Sequence, residues 1–476
     1  MRTLFLQAPS FDGFDGGAGS RYQSKREIRS FWYPTWLAQP AALVPDSKLI
    51  DAPPHGISLA EVVAEAKNFD LAVLHTSTPS FASDVRAIAA LKAANPALKA
   101  GLIGAKAAVD AEGCLKSARI VDFAARNEFD FTIKEIADGK DWKSIRGLSF
   151  RDQNGEIQHT PDRTVLENMD ALPFVTPVYK RDLQISRYFI GYLRHPYISI
   201  YTGRGCKSRC TFCLWPQSVG GHRYRTRSVG HVIEEIAWAK KTFPEVKEFF
   251  FDDDTFTDDL PRAEAIAREL GKLGVVWSCN AKANVPRASL KAMRDGGLRL
   301  LLVGYETGNQ QILYNIKKGM RIDVAKRFTK DCRDLGIVIH GTFIMGLPGE
   351  TQETIRETIA FAKEVNPHTL QVSLAAPYPG THLYKQALEN GWLDDANAAE
   401  LVDENGVQMA PLHYPGLSHT EIFDSVETFY RSFYLRPAKI ASIVGEMVLS
   451  PDMMKRRLRE GAEFFRFLRE RRAAAH

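Results

Sequence analysis

The sequence predicts an α/β protein with a doubly wound N-terminal domain, a partial (β/α)6 barrel and a mostly helical C-terminal region. Three observations carry that expectation. Short apolar runs alternate with helical patterns over residues 1–145, the alternation resumes at 196 and completes six strand-helix units, and after 400 the strand-like runs stop. A length of 476 residues exceeds the roughly 100–200 of one ordinary domain. The expected division is therefore 1–145, a hairpin and linker over 146–195, the barrel over 196–400, and 401–476.

In chain order, "TLFLQAP" and "KLIDAPP" read as strands separated by a long glycine-rich and aromatic loop. "SLAEVVAEAKNF" reads as a helix, with Ser58 placed to cap it and Glu61 three residues on. "DLAVLHTST" is a buried-strand run, "FASDVRAIAALKAAN" a helix and "LKAGLIGA" a further strand. "GLSFRDQNGEIQHT" pairs two short runs around Asn154 and Gly155, a hairpin signal. Barrel strands are expected at "YISIYTG", "VKEFFFDDD", "VVWSCNA", "RLLLVGYE", "IVIHGTFIMG" and "TLQVSLAAP", with helices such as "SVGHVIEEIAWAKKTF" and "LPRAEAIARELGKLG" between them. An active site on such a barrel lies at the C-terminal ends of the strands.

Composition narrows the function classes. With 45% hydrophobic and 25% charged residues, and no apolar run of about 18, the chain reads as globular and without a membrane span. "MRTLFLQAPSFDG" lacks the cleavage pattern of a signal peptide, so a cytoplasmic location is expected. The net charge of +5 equals that of residues 455–472 alone, leaving a neutral body and no nucleic-acid partner. In that tail Leu458, Ala462, Phe465 and Leu468 form one helical stripe with arginines on the other faces. The first reading is a terminal helix packed on the barrel through that stripe. The second is a basic amphipathic helix making peripheral contact with the inner membrane.

Six cysteines in so long a chain are not a disulfide framework. Three of them, Cys206, Cys210 and Cys213, crowd the loop after the first barrel strand with C-x3-C-x2-C spacing. Three thiolates can hold three irons of a cubane and leave the fourth open. The alternative is zinc, with His222 as fourth ligand. Cys114, Cys279 and Cys332 are scattered and read as buried apolar side chains.

The cysteine spacing, the aromatic Phe212 before the last cysteine, and the position at the end of a barrel's first strand resemble the radical S-adenosylmethionine (SAM) superfamily. The resemblance implies a 4Fe-4S cluster whose open iron is chelated by SAM, and SAM cleavage to a 5′-deoxyadenosyl radical that abstracts hydrogen from substrate. A partner electron donor such as a flavodoxin or ferredoxin is implied with it. By the same resemblance, "FFFDDDTFT" supplies Asp253 and Asp254 to the SAM amino group, and "WSCNAKAN" supplies Lys282, where arginine is more usual, to its carboxylate. "VGYETGNQQIL" supplies Glu306 to the ribose. In "TFIMGLPGET", Gly346 and Gly349 let backbone approach the adenine, and Thr342 stands where a first glycine is usual.

A doubly wound domain ahead of such a barrel resembles the cobalamin-binding subfamily. The loop where a DxHxxG histidine is common, "PSFDGFDGGAGSRYQ", has none, and His55 and His75 do not match that spacing, so each reads as an ordinary histidine. Cobalamin is thus implied by architecture alone. At finer grain, the long segment beginning "PSFDGFDGG" and the stretch "GRGCKSRCTFCLWPQSVGGHRYRTRS" resemble a radical SAM group associated with hopanoid biosynthesis. That resemblance implies contraction of a hexosamine ring on bacteriohopanetetrol to an aminocyclitol ether, with a hopanoid lipid as substrate. No residue is assigned to the sugar; Trp32, Tyr33 and Trp36 read equally as pocket wall or packing. Two other functions stay open: a cobalamin-dependent radical SAM methyltransferase acting on a lipid or natural product, and a zinc-stabilised interaction protein.

Overall fold

The computed structural model describes residues 1–9, 24–393, 401–449 and 451–474. The loop without the cobalamin-type histidine falls almost wholly at 10–23 and so lies outside the described residues. The first sheet is built from β1 (Thr3–Gln7), β2 (Ser47–Asp51), β3 (Leu71–His75), β4 (Lys99–Ile103), β5 (Phe123–Ala125), β6 (Leu148–Arg151) and β7 (Ile157–His159). Its order is β2-β1-β3-β4-β5-β6-β7, with β1 to β5 parallel and β6 and β7 antiparallel.

Alternation along each strand buries both faces. Leu4, Leu6, Leu74 and Leu102 meet helices Leu59–Ala66 and Phe81–Ala94, while Phe5, Val73, Ile103 and Phe123 meet Thr35–Leu43 and Asp130–Ala137. Ser58 caps its helix as expected: its backbone N–H donates to Glu61 at 2.8 Å and its hydroxyl accepts from Glu61 N at 3.3 Å. The hairpin around Asn154 and Gly155 forms, but it continues the first sheet. That sheet therefore runs to His159, past the expected limit at 145.

The barrel opens with β8 (Tyr197–Ile200), followed by a two-residue ribbon of β9 (Gly203–Arg204) and β10 (Arg225–Thr226) that brackets the cysteine loop. Next come β11 (Glu248–Phe251), β12 (Trp277–Ala281), β13 (Leu298–Glu306), β14 (Val338–Met345) and β15 (Thr369–Leu374). All six barrel strands pair in parallel and in sequential order, so every connection crosses the same way and all C-terminal ends share one rim. The free edge at β15 is sealed by helix His419–Tyr434, whose Tyr434 and Tyr430 hydroxyls accept from Leu370 N at 3.0 Å and Val372 N at 2.8 Å.

Two buried ion pairs join the sheets. Arg204 of β9 meets Asp130 at 2.5 and 3.1 Å, and Arg225 of β10 meets Glu128 at 2.9 Å. Both carboxylates follow β5, and all four side chains are only 3–5% exposed. Tyr33 and Trp36 prove to be packing: Tyr33 stacks on Tyr188 at 4.1 Å, and Trp36 stacks on Trp215, beside the cysteines, at 5.5 Å. Trp32 is partly buried with the Arg26 guanidinium 4.3 Å above its ring.

The C-terminal region is helical as expected, over His419–Tyr434, Pro437–Leu449 and Pro451–Ala474. The face used by the last helix is not the expected one. Leu468 is buried, whereas Leu458, Ala462 and Phe465 are exposed; the packed side consists of Glu460, Phe464, Phe467, Leu468 and Arg471. Glu460 goes inside because Arg456 and Arg457 each meet it at 2.8 Å. Arg471 does so because it donates to the Phe423 carbonyl at 2.9 Å and lies 3.9 Å from that ring's centre.

Candidate functional site

The cysteine loop lies on the C-terminal rim of the barrel. All three thiols are free; Cys206 and Cys210 are buried and Cys213 is half-buried. Gly205, at φ +88°, starts the loop where any Cβ would come within 2.4 Å of the Arg223 carbonyl, so the segment leading into β10 fits against it only because the position is glycine. Gln217 ties the loop down: its amide donates to the carbonyls of Cys210, Thr211 and Cys213 at 3.2, 3.2 and 2.7 Å, and its oxygen accepts from His382 N at 2.8 Å. The loop is thus held before any ligand arrives.

Among the described residues no three His, Cys, Asp or Glu side chains converge as ligands of a single metal ion. His222 engages the Ser208 carbonyl through Nδ1 at 2.8 Å. A cubane asks for something different from a single ion, one thiolate for each of several irons, and three pinned thiols without a fourth fit that demand. Phe212 packs half-buried against the barrel core.

The neighbouring charges are arranged in pairs. The Cys206 sulfur lies 3.5 Å from Thr255 Oγ1 and 3.8 Å from Asp258 Oδ2, and Asp258 also meets Lys282 Nζ at 2.5 Å. Lys282 therefore reaches the rim, but already bound to a carboxylate that the sequence reading did not single out. Glu306, at the end of β13 with φ +65°, holds Lys318 Nζ at 2.5 Å. Burial alone would lower the Lys318 ammonium, yet Glu306 and the Cys210 sulfur beside it push it above its ordinary value. Gly304 leaves room for this pair, since a Cβ there would stand 2.3 Å from Glu306 Oε1 and 2.8 Å from Lys318 Nζ.

Asp253 lies behind the rim. Its carboxylate is fully buried and accepts from Thr202 N and Oγ1 at 2.5 Å each and from Tyr224 OH at 2.6 Å. These bonds fasten the start of the cysteine loop to the end of β11. Asp254, half-buried beside it, is the acidic side chain of that run nearer to solvent. Gly346 and Gly349 both adopt left-handed backbone, at φ +82° and +88°. Their nearest neighbours are Ile422 and Asn315, at 2.8 and 2.6 Å from an added Cβ, so internal packing already demands glycine there.

The C-terminal edge of the first sheet faces this rim. Helix Ala105–Val109, which starts one residue after β4, packs against Leu214–Ser218, which begins directly after Cys213. The loop after β15 meets the same helix, a Cβ on Gly380 falling 2.5 Å from Val109. At this edge several buried polar atoms lack any partner among the described residues: Gln7 Oε1 at the end of β1, Thr76 Oγ1 just beyond β3, and both ring nitrogens of His75 at the end of β3. Burial lowers the His75 pKa to about 4, so the ring is neutral. Beside it Gly104, at φ +104°, is packed so closely that a Cβ would stand 2.5 Å from Thr76 O and 2.9 Å from His75 Nε2, so glycine is required there. His55, by contrast, is an ordinary structural histidine, bonded to Asp51 O at 2.8 Å and Gln184 N at 3.0 Å. Cys114, Cys279 and Cys332 are buried as expected.

Residues 200–362 match the model of the Radical SAM superfamily. The chain is 30% identical over 425 residues to an uncharacterized methyltransferase, PH0819, of Pyrococcus horikoshii, across 87% of this chain and 90% of that protein. It is 25% identical to an anaerobic magnesium-protoporphyrin IX monomethyl ester cyclase of Rubrivivax gelatinosus, across 92% of this chain and 78% of the relative. Among solved structures, the fold is similar to that of the radical SAM methyltransferase TsrM from Kitasatospora setae, determined with cobalamin and a 4Fe-4S cluster bound. The TM-score is 0.70 at 14% identity, over 100% of this chain and 99% of that one. It is also similar to the cobalamin-dependent SAM radical enzyme OxsB, with TM-score 0.69 at 14% identity over 98% of this chain and 72% of that one. The chain belongs to the radical SAM superfamily, whose members use a 4Fe-4S cluster and SAM.

Proposed function

We infer that this chain is a cobalamin-dependent radical SAM enzyme in which the first sheet presents the corrinoid to a cluster held by Cys206, Cys210 and Cys213. The observation that carries this reading is the meeting of two C-terminal edges, one bearing the pinned cysteines and the other the orphaned polar atoms of Gln7, His75 and Thr76. A large polar cofactor is the kind of ligand that satisfies such atoms. When bound, the cluster and SAM supply a 5′-deoxyadenosyl radical, and cobalamin supplies a methyl carrier.

The protein's own residues position these groups. Gln217 and Asp253 hold the cysteine loop, and Glu306 with Lys318 sets a balanced charge pair beside Cys210. Asp254, Lys282 and Glu306 remain the side chains proposed to face SAM, Lys282 after yielding its bond to Asp258. The turn glycines Gly346 and Gly349 keep the adenine side of the rim low, and Phe212 walls the cluster.

Methyl transfer to a lipid or natural product is the reaction best supported by the relatives, several of which are named as methyltransferases. A second reading is contraction of the hexosamine ring on bacteriohopanetetrol. It is favoured by the resemblance of the two long segments quoted above to the hopanoid-associated group, and by a relative whose name describes ring formation.

One experiment separates them. The cluster-reconstituted protein is incubated anaerobically with glucosaminyl-bacteriohopanetetrol, SAM, cobalamin and a strong reductant, and lipid and nucleoside are followed by mass spectrometry. Methyl transfer yields a product one methylene heavier together with S-adenosylhomocysteine. Ring contraction yields an isomer of unchanged mass with altered retention and fragmentation. An untouched lipid removes the hopanoid substrate from both readings.

A further inference from the structure

Ten large apolar side chains stand exposed among the described residues, and seven of them lie between Leu435 and Phe465. That concentration calls for an explanation, because isolated exposed apolar residues are ordinary but a contiguous set is not. On helix Pro437–Leu449, Ile440, Val444 and Val448 recur every four residues and so share one face. On helix Pro451–Ala474, Leu458 and Phe465 share another, and the two helices pack on each other. Val448 is 79% exposed, Leu458 61% and Phe465 60%, so nothing among the described residues covers them.

The same surface carries charge of one sign. Lys455, Arg459, Arg466 and Arg469 are exposed along and beside the Leu458 and Phe465 face. Among the described residues acidic partners are scarce there, because Glu446 and Glu460 are taken up by Arg456 and Arg457 at 2.6–2.8 Å, and Glu463 approaches Arg459 only to 4.0 Å. The face also rims a cavity of about 300 Å³, whose outer wall includes Leu435, Ile440, Val444 and Phe465 and whose deeper wall includes Leu370 and Phe464. His340, at its barrel end, is buried with Nε2 unpartnered, so a hydroxyl-bearing guest, able to donate or accept, finds a hydrogen-bond partner there.

We propose that this face docks on a bilayer containing anionic phospholipid, opening the cavity to lipid. Apolar side chains enter the interface while the flanking lysine and arginines reach the headgroups. A second copy of the chain suits the face less well, since it would set the same cations against each other. The docking goes beyond the reaction inferred above and does not depend on it, because membrane contact requires neither cluster nor SAM turnover.

The test is co-sedimentation of the full-length holoprotein with vesicles of phosphatidylcholine alone or mixed with phosphatidylglycerol. The comparison is with a Val448→Ser, Leu458→Ser, Phe465→Ser variant whose iron content and thermal unfolding are measured alongside. Substitutions at sites this exposed leave the core intact, so the fold is retained. Binding to the anionic vesicles is expected, weakened by about 1 M salt as charges are screened, and at least about tenfold weaker for the variant. No binding, equal binding by variant and parent, or a dimer in light scattering that the variant abolishes would each overturn the proposal.

Discussion

Cys206→Ala should strip the protein of its cluster. With three protein thiolates available, losing one leaves an iron without a protein ligand, and the cubane has no spare cysteine to recruit, since Cys114, Cys279 and Cys332 are buried elsewhere. Iron and sulfide after anaerobic reconstitution should fall to background. Reductive SAM cleavage should drop by more than the roughly 100-fold that even an outer-shell change can cost at a metal site. Cys332→Ala serves as the control and should keep its iron. A Cys206 variant that retains both iron and SAM cleavage would remove this loop from the cluster.

The second large effect is on stability. Asp130→Ala leaves the Arg204 guanidinium buried at the junction of the two sheets with only Glu128, 4.0 Å away and already paired with Arg225, and Arg204 cannot shed its charge. Burial alone would lower its pKa, but Asp130 holds it above the ordinary arginine value. Breaking a buried pair from one side costs about 3–5 kcal/mol, while replacing both partners by apolar groups of similar volume is far milder. Asp130→Ala should therefore lower unfolding free energy by about that amount, and Asp130→Leu with Arg204→Met by much less, as read by denaturant titration. Because Arg204 stands two residues before Cys206, the single variant should also lose its cluster faster. A change under about 1 kcal/mol, the size of an exposed pair, would show that the junction is wetter than the structure has it.

How far the sequence reveals these features depends on whether a feature is local. Every expected barrel strand formed, because each is a short apolar run whose burial is settled by its own side chains. The Asn154 and Gly155 turn was equally visible, but which sheet its strands would join was decided by Ala125 and Phe123 on β5, and no local pattern encodes that choice. The cysteine loop was legible through spacing alone. Its surroundings were not: nothing local shows that Asp253 accepts from Thr202 and Tyr224, 51 and 29 residues away. Lys318 lies 12 residues beyond Glu306 and gives no sign in sequence that it will turn back to it. The last helix misled for a related reason. Hydrophobic periodicity places apolar residues inside, but here Glu460 and Arg471 found buried partners and released Leu458 and Phe465 to the surface.

If one chain sets a corrinoid on its first sheet against a cluster on its barrel, both metals must be found in it. The measurement is elemental analysis, for iron, sulfide, cobalt and zinc, of protein isolated anaerobically from cobalamin-supplied cells. Iron and sulfide are expected in the proportion of one cubane per chain, with cobalt at one per chain. Iron without cobalt would contradict the presence of a corrinoid on the first sheet. Zinc in place of iron would contradict the radical chemistry altogether.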